Sequence, residues 1–165
     1  MVAGMSTAVN VIKTALFTLF VPLLVAIGIP QAMVQQDHVA ASSSMILRVA
    51  GEAFVALGVT GYFWCAALFV KAQGTPAPIF PAQHAVVTGP YRVNRNPMYT
   101  SVLAAVFGQA IYYAYWVVAV YGAAIAIGFH LFVVFYEEQA LRAQFNGEYE
   151  KFCCRVPRWI PRWKS

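Results

Sequence analysis

Residues 96–136 read NPMYTSVLAAVFGQAIYYAYWVVAVYGAAIAIGFHLFVVFY, 41 residues without a single Asp, Glu, Lys or Arg. A soluble domain places charge on about a quarter of its positions, whereas this 165-residue chain is 10% charged and 61% hydrophobic. An uncharged run of that length cannot form the skin of a water-soluble globule, and it excludes a disordered chain. Its natural solvent is hydrocarbon. One crossing takes about 20 residues, so the stretch suits two helices. Its middle, Tyr112-Tyr-Ala-Tyr-Trp116, is an aromatic belt where a tight helical hairpin turns at the membrane interface.

Outward from this stretch, residues 14–36 and 53–70 are also free of charge. The earlier run contains Pro22, where a kink is expected. Lys13 is the only basic residue ahead of it and no small-x-small cleavage pattern follows, so it reads as a retained helix. The later run opens with Arg48 and Glu52 one turn apart, which predicts a local ion pair at the interface. The expected fold is all-α: one integral-membrane domain over 1–165. It has about four transmembrane helices near 11–29, 48–70, 98–114 and 116–136, a polar loop over 71–97 and an amphipathic helical cap over 137–165. Four crossings bring Lys13, Lys71, Arg92, Arg95 and the six basic residues of the tail to one side, leaving Arg48 alone opposite. The positive-inside rule makes that side cytoplasmic. The membrane would be a bacterial inner membrane or the eukaryotic endoplasmic reticulum. The net charge of +5 therefore reports topology. No nucleic-acid-binding pattern, metal-ligand spacing, disulfide framework or obligate protein partner is legible.

Two polar segments carry the chemistry. In the loop, prolines 76, 78, 81, 90 and 97 forbid a continuous helix. Pro97 suits the first turn of the third span with Asn96 as its N-cap. Arg92 and Arg95 lie beside that helix start, and together they can receive a carboxylate or phosphate, or else anchor the loop to lipid headgroups. In the tail, Glu137-Glu138 falls at the expected C-terminal end of the fourth helix, where the dipole disfavours acid. Pairing with the arginine loop or with a cationic ligand accounts for that placement. Leu141, Phe145, Tyr149 and Phe152 continue as an apolar stripe at helical spacing. His130, seven residues before Glu137, is expected on the same helix face, as a packing residue or a functional one.

Taken in order, Thr75-Pro-Ala-Pro78, Val87-Thr-Gly-Pro-Tyr-Arg92, Arg95-Asn-Pro-Met-Tyr99, Tyr136-Glu-Glu138, Phe145-Asn-Gly-Glu-Tyr149 and Val156-Pro-Arg-Trp-Ile-Pro161 resemble the motifs of membrane-embedded methyltransferases. These are the phospholipid methyltransferases and isoprenylcysteine carboxyl methyltransferases. The resemblance implies S-adenosylmethionine as cofactor, with S-adenosylhomocysteine as product, and a lipid or lipid-modified acceptor. By position it implies Gln83, His84, Val86 and Tyr91 as the loop's cofactor contacts. Asn96, Pro97, Met98 and Tyr99 would hold the cofactor through backbone N–H groups and the tyrosine hydroxyl, and Glu137 would accept from its amino group or ribose. Methyl transfer needs alignment and exclusion of water more than acid–base help. An ammonium acceptor would still need a proton removed, for which His130, Glu138 or water are the candidates.

Two departures bear on the acceptor. The carboxyl methyltransferases place a histidine where Asn96 stands, and an arginine one turn before the acidic pair where this chain has Val133. Both tilt the expectation from a prenylcysteine carboxylate towards an amine-bearing or uncharged lipid. Two rival classes are a sterol-type membrane reductase using NADPH, whose members are much longer, and a non-enzymatic membrane scaffold.

Overall fold

The computed structural model describes Phe20 and residues 22–71 and 88–160. Much of the first expected span, loop residues 72–87 with Gln83, His84 and Val86, and residues 161–165 lie outside that set. Among the described residues every element is helical. A π-turn at Leu24–Gly28 runs into α1 (Ile29–Gln36), followed by α2 (Met45–Lys71), a 3-10 turn at Gly89–Arg92 and α3 (Pro97–Tyr113). Then come α4 (Trp116–Phe132), a second π-turn at Val133–Glu137 and α5 (Glu138–Arg155). Met45–Leu68 and Trp116–Phe145, 24 and 30 residues long, are apolar and long enough to cross a bilayer. Helix α3 has 17 residues, about 26 Å at ~1.5 Å per residue, slightly under the ~30 Å hydrocarbon layer.

The hairpin predicted at the aromatic belt is present. Ala114 takes the left-handed conformation (φ 48°), and the Tyr115 amide reaches back to the Ala110 carbonyl at 3.0 Å. Beyond the turn, the Tyr115 hydroxyl donates to Asp37 just after α1. At the start of α2, Arg48 and Glu52 are both exposed and form no ion pair with each other, contrary to expectation. Two long side chains on a solvated turn gain too little to be held together.

The seam between α2 and α3 is built from small residues. A Cβ at Gly58 would lie 2.5 Å from the Ser101 carbonyl oxygen, and one at Gly51 would lie 2.6 Å from that of Gly108. Only glycine permits this approach, which replaces the hydrophobic drive that lipid cannot supply with close van der Waals contact. Around the seam, Val102, Ala105, Val106, Ala110 and Val118 form a core with Ala26, Val34 and Tyr62. The bundle's outer surface carries Leu57 (69% exposed) and Ile127 (62%), apolar groups that suit lipid contact.

The π-turn at Leu24–Gly28 lies between Pro22 and Pro30, and the turn that an expected kink at Pro22 would bend lies mostly outside the described residues. Proline has no N–H, so the carbonyls of Ala26 and Val25, which an amide at position 30 would serve in an α- or a π-turn, are left open. Gln109 Nε2 donates to the Ala26 oxygen at 2.5 Å, and the Tyr121 hydroxyl donates to that of Val25 at 3.0 Å. Gln31 Nε2 adds a bond of 3.1 Å to Gln109 Oε1. The first helix is thus fastened to α3 and α4 through backbone groups that water would otherwise have to satisfy.

Candidate functional site at the loop–tail junction

The segment entering α3 is set by an asparagine the sequence reading did not single out. Gly89 takes φ +58°, a conformation that favours glycine. The turn after it buries Tyr91, whose hydroxyl hydrogen-bonds Cys65 and is pushed well above the ordinary phenol range, first by burial and then by that thiol. Asn94 Oδ1 accepts the Asn96 amide at 2.7 Å, while Asn94 Nδ2 donates to Thr100 Oγ1 at 3.0 Å. Asn96 does occupy the N-cap position and Pro97 the first turn, but the Asn96 side chain makes no capping bond. Its Nδ2 instead donates to the Arg158 carbonyl of the tail at 2.9 Å. The first-turn amides of Met98 and Tyr99 lack intrahelical acceptors by helix geometry.

The acidic pair does not end a helix. The π-turn at Val133–Glu137 carries α4 directly into α5, so Glu137 and Glu138 sit mid-helix and meet no terminal dipole. The extra residue in the π-turn also changes the register that a spacing of seven predicts. Phe129 and Glu137, eight apart, both meet Tyr99: the rings pack at 4.7 Å, and the Tyr99 hydroxyl donates to Glu137 Oε2 at 2.8 Å. His130 meets the tail through Trp159, which also packs against Tyr99. It is exposed, its Nδ1 accepts from Trp159 Nε1 at 3.1 Å, and the two rings lie 6.2 Å apart.

Glu138 is 5% exposed and is met by three arginines. Arg158 holds it with two bonds, Nε to Oε1 at 2.6 Å and Nη2 to Oε2 at 3.0 Å. Arg95 Nη1 stands 3.2 Å from Oε1, and Arg142 Nη2 stands 3.8 Å from Oε2. The bond to Glu138 raises the Arg158 guanidinium above its ordinary range, against the cost of its partial burial. Arg95 also donates its backbone N–H to the Pro157 carbonyl at 3.0 Å and Nη1 to Cys153 Sγ at 2.7 Å. Its Nε is buried with no hydrogen-bond partner among the described residues. Arg92 is exposed and forms no ion pair among the described residues. The tail stripe lies inward, with Tyr149 buried and Leu141, Phe145 and Phe152 half-buried.

The loop, the α4–α5 helix and the tail therefore converge on one spot. The structure joins Tyr99 to Glu137 and Arg95 to Glu138, and leaves Arg92 outside. Arg158, Trp159, Asn94 and Cys153 are site neighbours that sequence reasoning missed. The Val156-Pro-Arg-Trp-Ile-Pro161 motif marked the first two without assigning them a role, and the Asn94-x-Asn96 spacing is the sequence signal of an Asx turn. Chemically, the arrangement offers cationic and N–H donors on one side, a carboxylate on the other, and aromatic walls of Tyr99, Phe129 and Trp159 (ring centres 6.5 Å from Tyr99).

Neither a curated protein nor a solved structure matches the chain significantly. The family model of the phospholipid methyltransferases matches residues 45–148, which takes in α2, the loop, the acidic pair and most of α5. That is 104 of the 165 residues, and the chain belongs to the phospholipid methyltransferase family, a family of membrane methyltransferases.

Proposed function

We propose that the protein transfers a methyl group from S-adenosylmethionine to a lipidic acceptor, on the membrane face that carries the loop and the tail. In this reading four helices cross the bilayer and both termini are cytoplasmic. The observation that carries it is the Tyr99–Glu137 pair set at the convergence of three polar segments, beside a buried guanidinium with one unused donor. S-adenosylmethionine carries a carboxylate, an ammonium and a sulfonium. The orphaned Arg95 Nε and the open amides at the start of α3 match the first, and the Glu137 carboxylate matches a cation or the ribose. When bound, the cofactor supplies an electrophilic methyl group for direct transfer.

The chain's own residues would bind, orient and exclude water. Tyr99 holds Glu137 in one rotamer, and Phe129 and Trp159 keep solvent from the pair. Asn96 and Pro97 place the Met98 and Tyr99 amides. Tyr91, buried in the turn after Gly89, and Gln83, His84 and Val86 would complete the contacts from the loop side. The acceptor would reach the site laterally from the bilayer. Val133 and Asn96 favour a phospholipid amine or an uncharged lipid over an isoprenylcysteine-type carboxylate. His130 is the protein group proposed to take a proton from an ammonium acceptor; Glu138, the other candidate, has its oxygens engaged by arginines.

The test is binding of S-adenosylhomocysteine to detergent-purified protein, paired with radiolabelled methyl transfer into a total membrane-lipid extract. Micromolar binding that weakens at least tenfold in Glu137→Ala and Tyr99→Phe supports the reading. Binding of NADPH in place of the homocysteine, with no label in lipid, overturns it.

A further inference from the structure

The two neighbouring glutamates have opposite surroundings. Glu137 meets one neutral donor, the Tyr99 hydroxyl. Glu138 has both oxygens taken by cations: Arg158 Nε and Arg95 Nη1 on Oε1, Arg158 Nη2 and Arg142 on Oε2. A carboxylate held among cations in this way is a poor proton acceptor. What it does have is leverage. Arg95 belongs to the loop and Arg158 to the tail, and the same two segments are zipped by the Arg95 N–H on Pro157 and the Asn96 amide on Arg158. The next residue along the tail, Trp159, lands edge-on to Tyr99 and donates to His130. Glu138 is the carboxylate that Arg95 of the loop and Arg158 of the tail share.

We propose that Glu138 is a positioning residue: by gathering Arg95 and Arg158 it seats the tail, so that Trp159 forms a fixed wall over the Tyr99–Glu137 pair. The assignment of that wall to a cofactor pocket rests on the methyltransferase reading. The seating of the tail does not. The physical reasoning is that a buried carboxylate is kept only where complementary charge surrounds it. A planar guanidinium held by two bonds also fixes direction as well as distance. A tail tied only by Pro157 and Arg158 carbonyls would be free to pivot about two hydrogen bonds. The Glu138 fork removes that freedom and sets where the indole falls.

Two readouts test this, one of them independent of any cofactor. Cys153 rests against Arg95 Nη1, while Cys65 is buried and Cys154 is exposed. In a Cys154→Ser background the rate of maleimide labelling therefore reports whether the tail is seated. Glu138→Gln should raise that rate about tenfold or more, Glu138→Asp should restore part of the protection, and Trp159→Ala should leave the rate within about threefold because it spares the ion cluster. The second readout is a double-mutant cycle on the affinity for S-adenosylhomocysteine and on KM and kcat for S-adenosylmethionine. Glu138→Gln and Trp159→Ala should each raise Kd and KM about tenfold with a smaller change in kcat, and the double variant should be little worse than either single one.

Unchanged Cys153 labelling in Glu138→Gln overturns the proposal. So does a loss of kcat at unchanged KM, which would mark Glu138 as a proton acceptor, or a double variant whose effects multiply. If wild-type protein binds no S-adenosylhomocysteine, the methyltransferase reading fails, and the labelling arm alone then decides whether Glu138 seats the tail. Trp159→Ala keeps the binding test alive if Glu138→Gln does not fold.

Discussion

The α2–α3 seam and the loop–tail junction are held together by opposite means. At the seam, Gly51, Gly58 and Gly108 let two backbones meet with no charge and almost no side chain between them. At the junction, a single carboxylate that is 5% exposed gathers three arginines from three segments. The seam works by shape, because lipid offers helices no hydrophobic reason to associate. The junction works by charge, because its loop and tail segments meet through arginines gathered on one buried carboxylate. A scaffold built by shape tolerates no added volume, whereas a junction built by charge tolerates no unbalanced ion. The two regions should therefore fail under different substitutions.

The largest effect is expected at the junction. Glu138→Ala leaves Arg95 and Arg158 facing each other without their counter-ion, a loss of about 3 to 5 kcal/mol by the general cost of breaking a buried pair. Thermal unfolding in detergent should show it, and a stability unchanged from wild type would mean that solvent already screens the cluster. Next comes the seam. Gly58→Leu drives a side chain into the Ser101 carbonyl and should cost about 1 to 3 kcal/mol, read as a fall in Tm and loss of the monodisperse peak. A neutral result would show that the helices slide apart at little cost. The smallest effect separates the inner and outer parts of the charge cluster. Arg142 is 51% exposed and stands 3.8 Å from Glu138 and 3.2 Å from Glu150. Arg142→Ala should change stability by no more than about 0.5 kcal/mol. A larger loss would extend the junction to the surface of α5.

Much of the helical architecture was legible in the sequence. The hairpin at Tyr112–Trp116 is where the aromatic belt put it, whereas the fourth helix, expected to end near residue 136, runs on through the π-turn into α5. Hydropathy and aromatic placement are local signals, and lipid leaves few alternatives to a helix. The ion pair expected of Arg48 and Glu52 did not form, because helical spacing permits contact without requiring it. The carbonyls that Pro30 leaves open are met by Gln109 and Tyr121, partners that no local sequence signal names.

The site was legible in its members more than in its wiring. Tyr99, Glu137, Arg95 and Glu138 were all named from sequence, yet their pairing depended on one extra residue in the Val133–Glu137 turn. That insertion put Glu137 with Tyr99 and Phe129, while His130 meets the tail's Trp159.

The sequence by itself determined the solvent, the helical class, the family and the polar segments that carry the chemistry. Each of these follows from composition or from motifs read along the chain. Only the tertiary structure decided that adjacent glutamates divide their partners and that Arg158 and Trp159 belong to the site. The physical reason is that charge pairing and ring packing act through space between segments tens of residues apart, while a π-turn rotates everything beyond it by an amount that no spacing rule records.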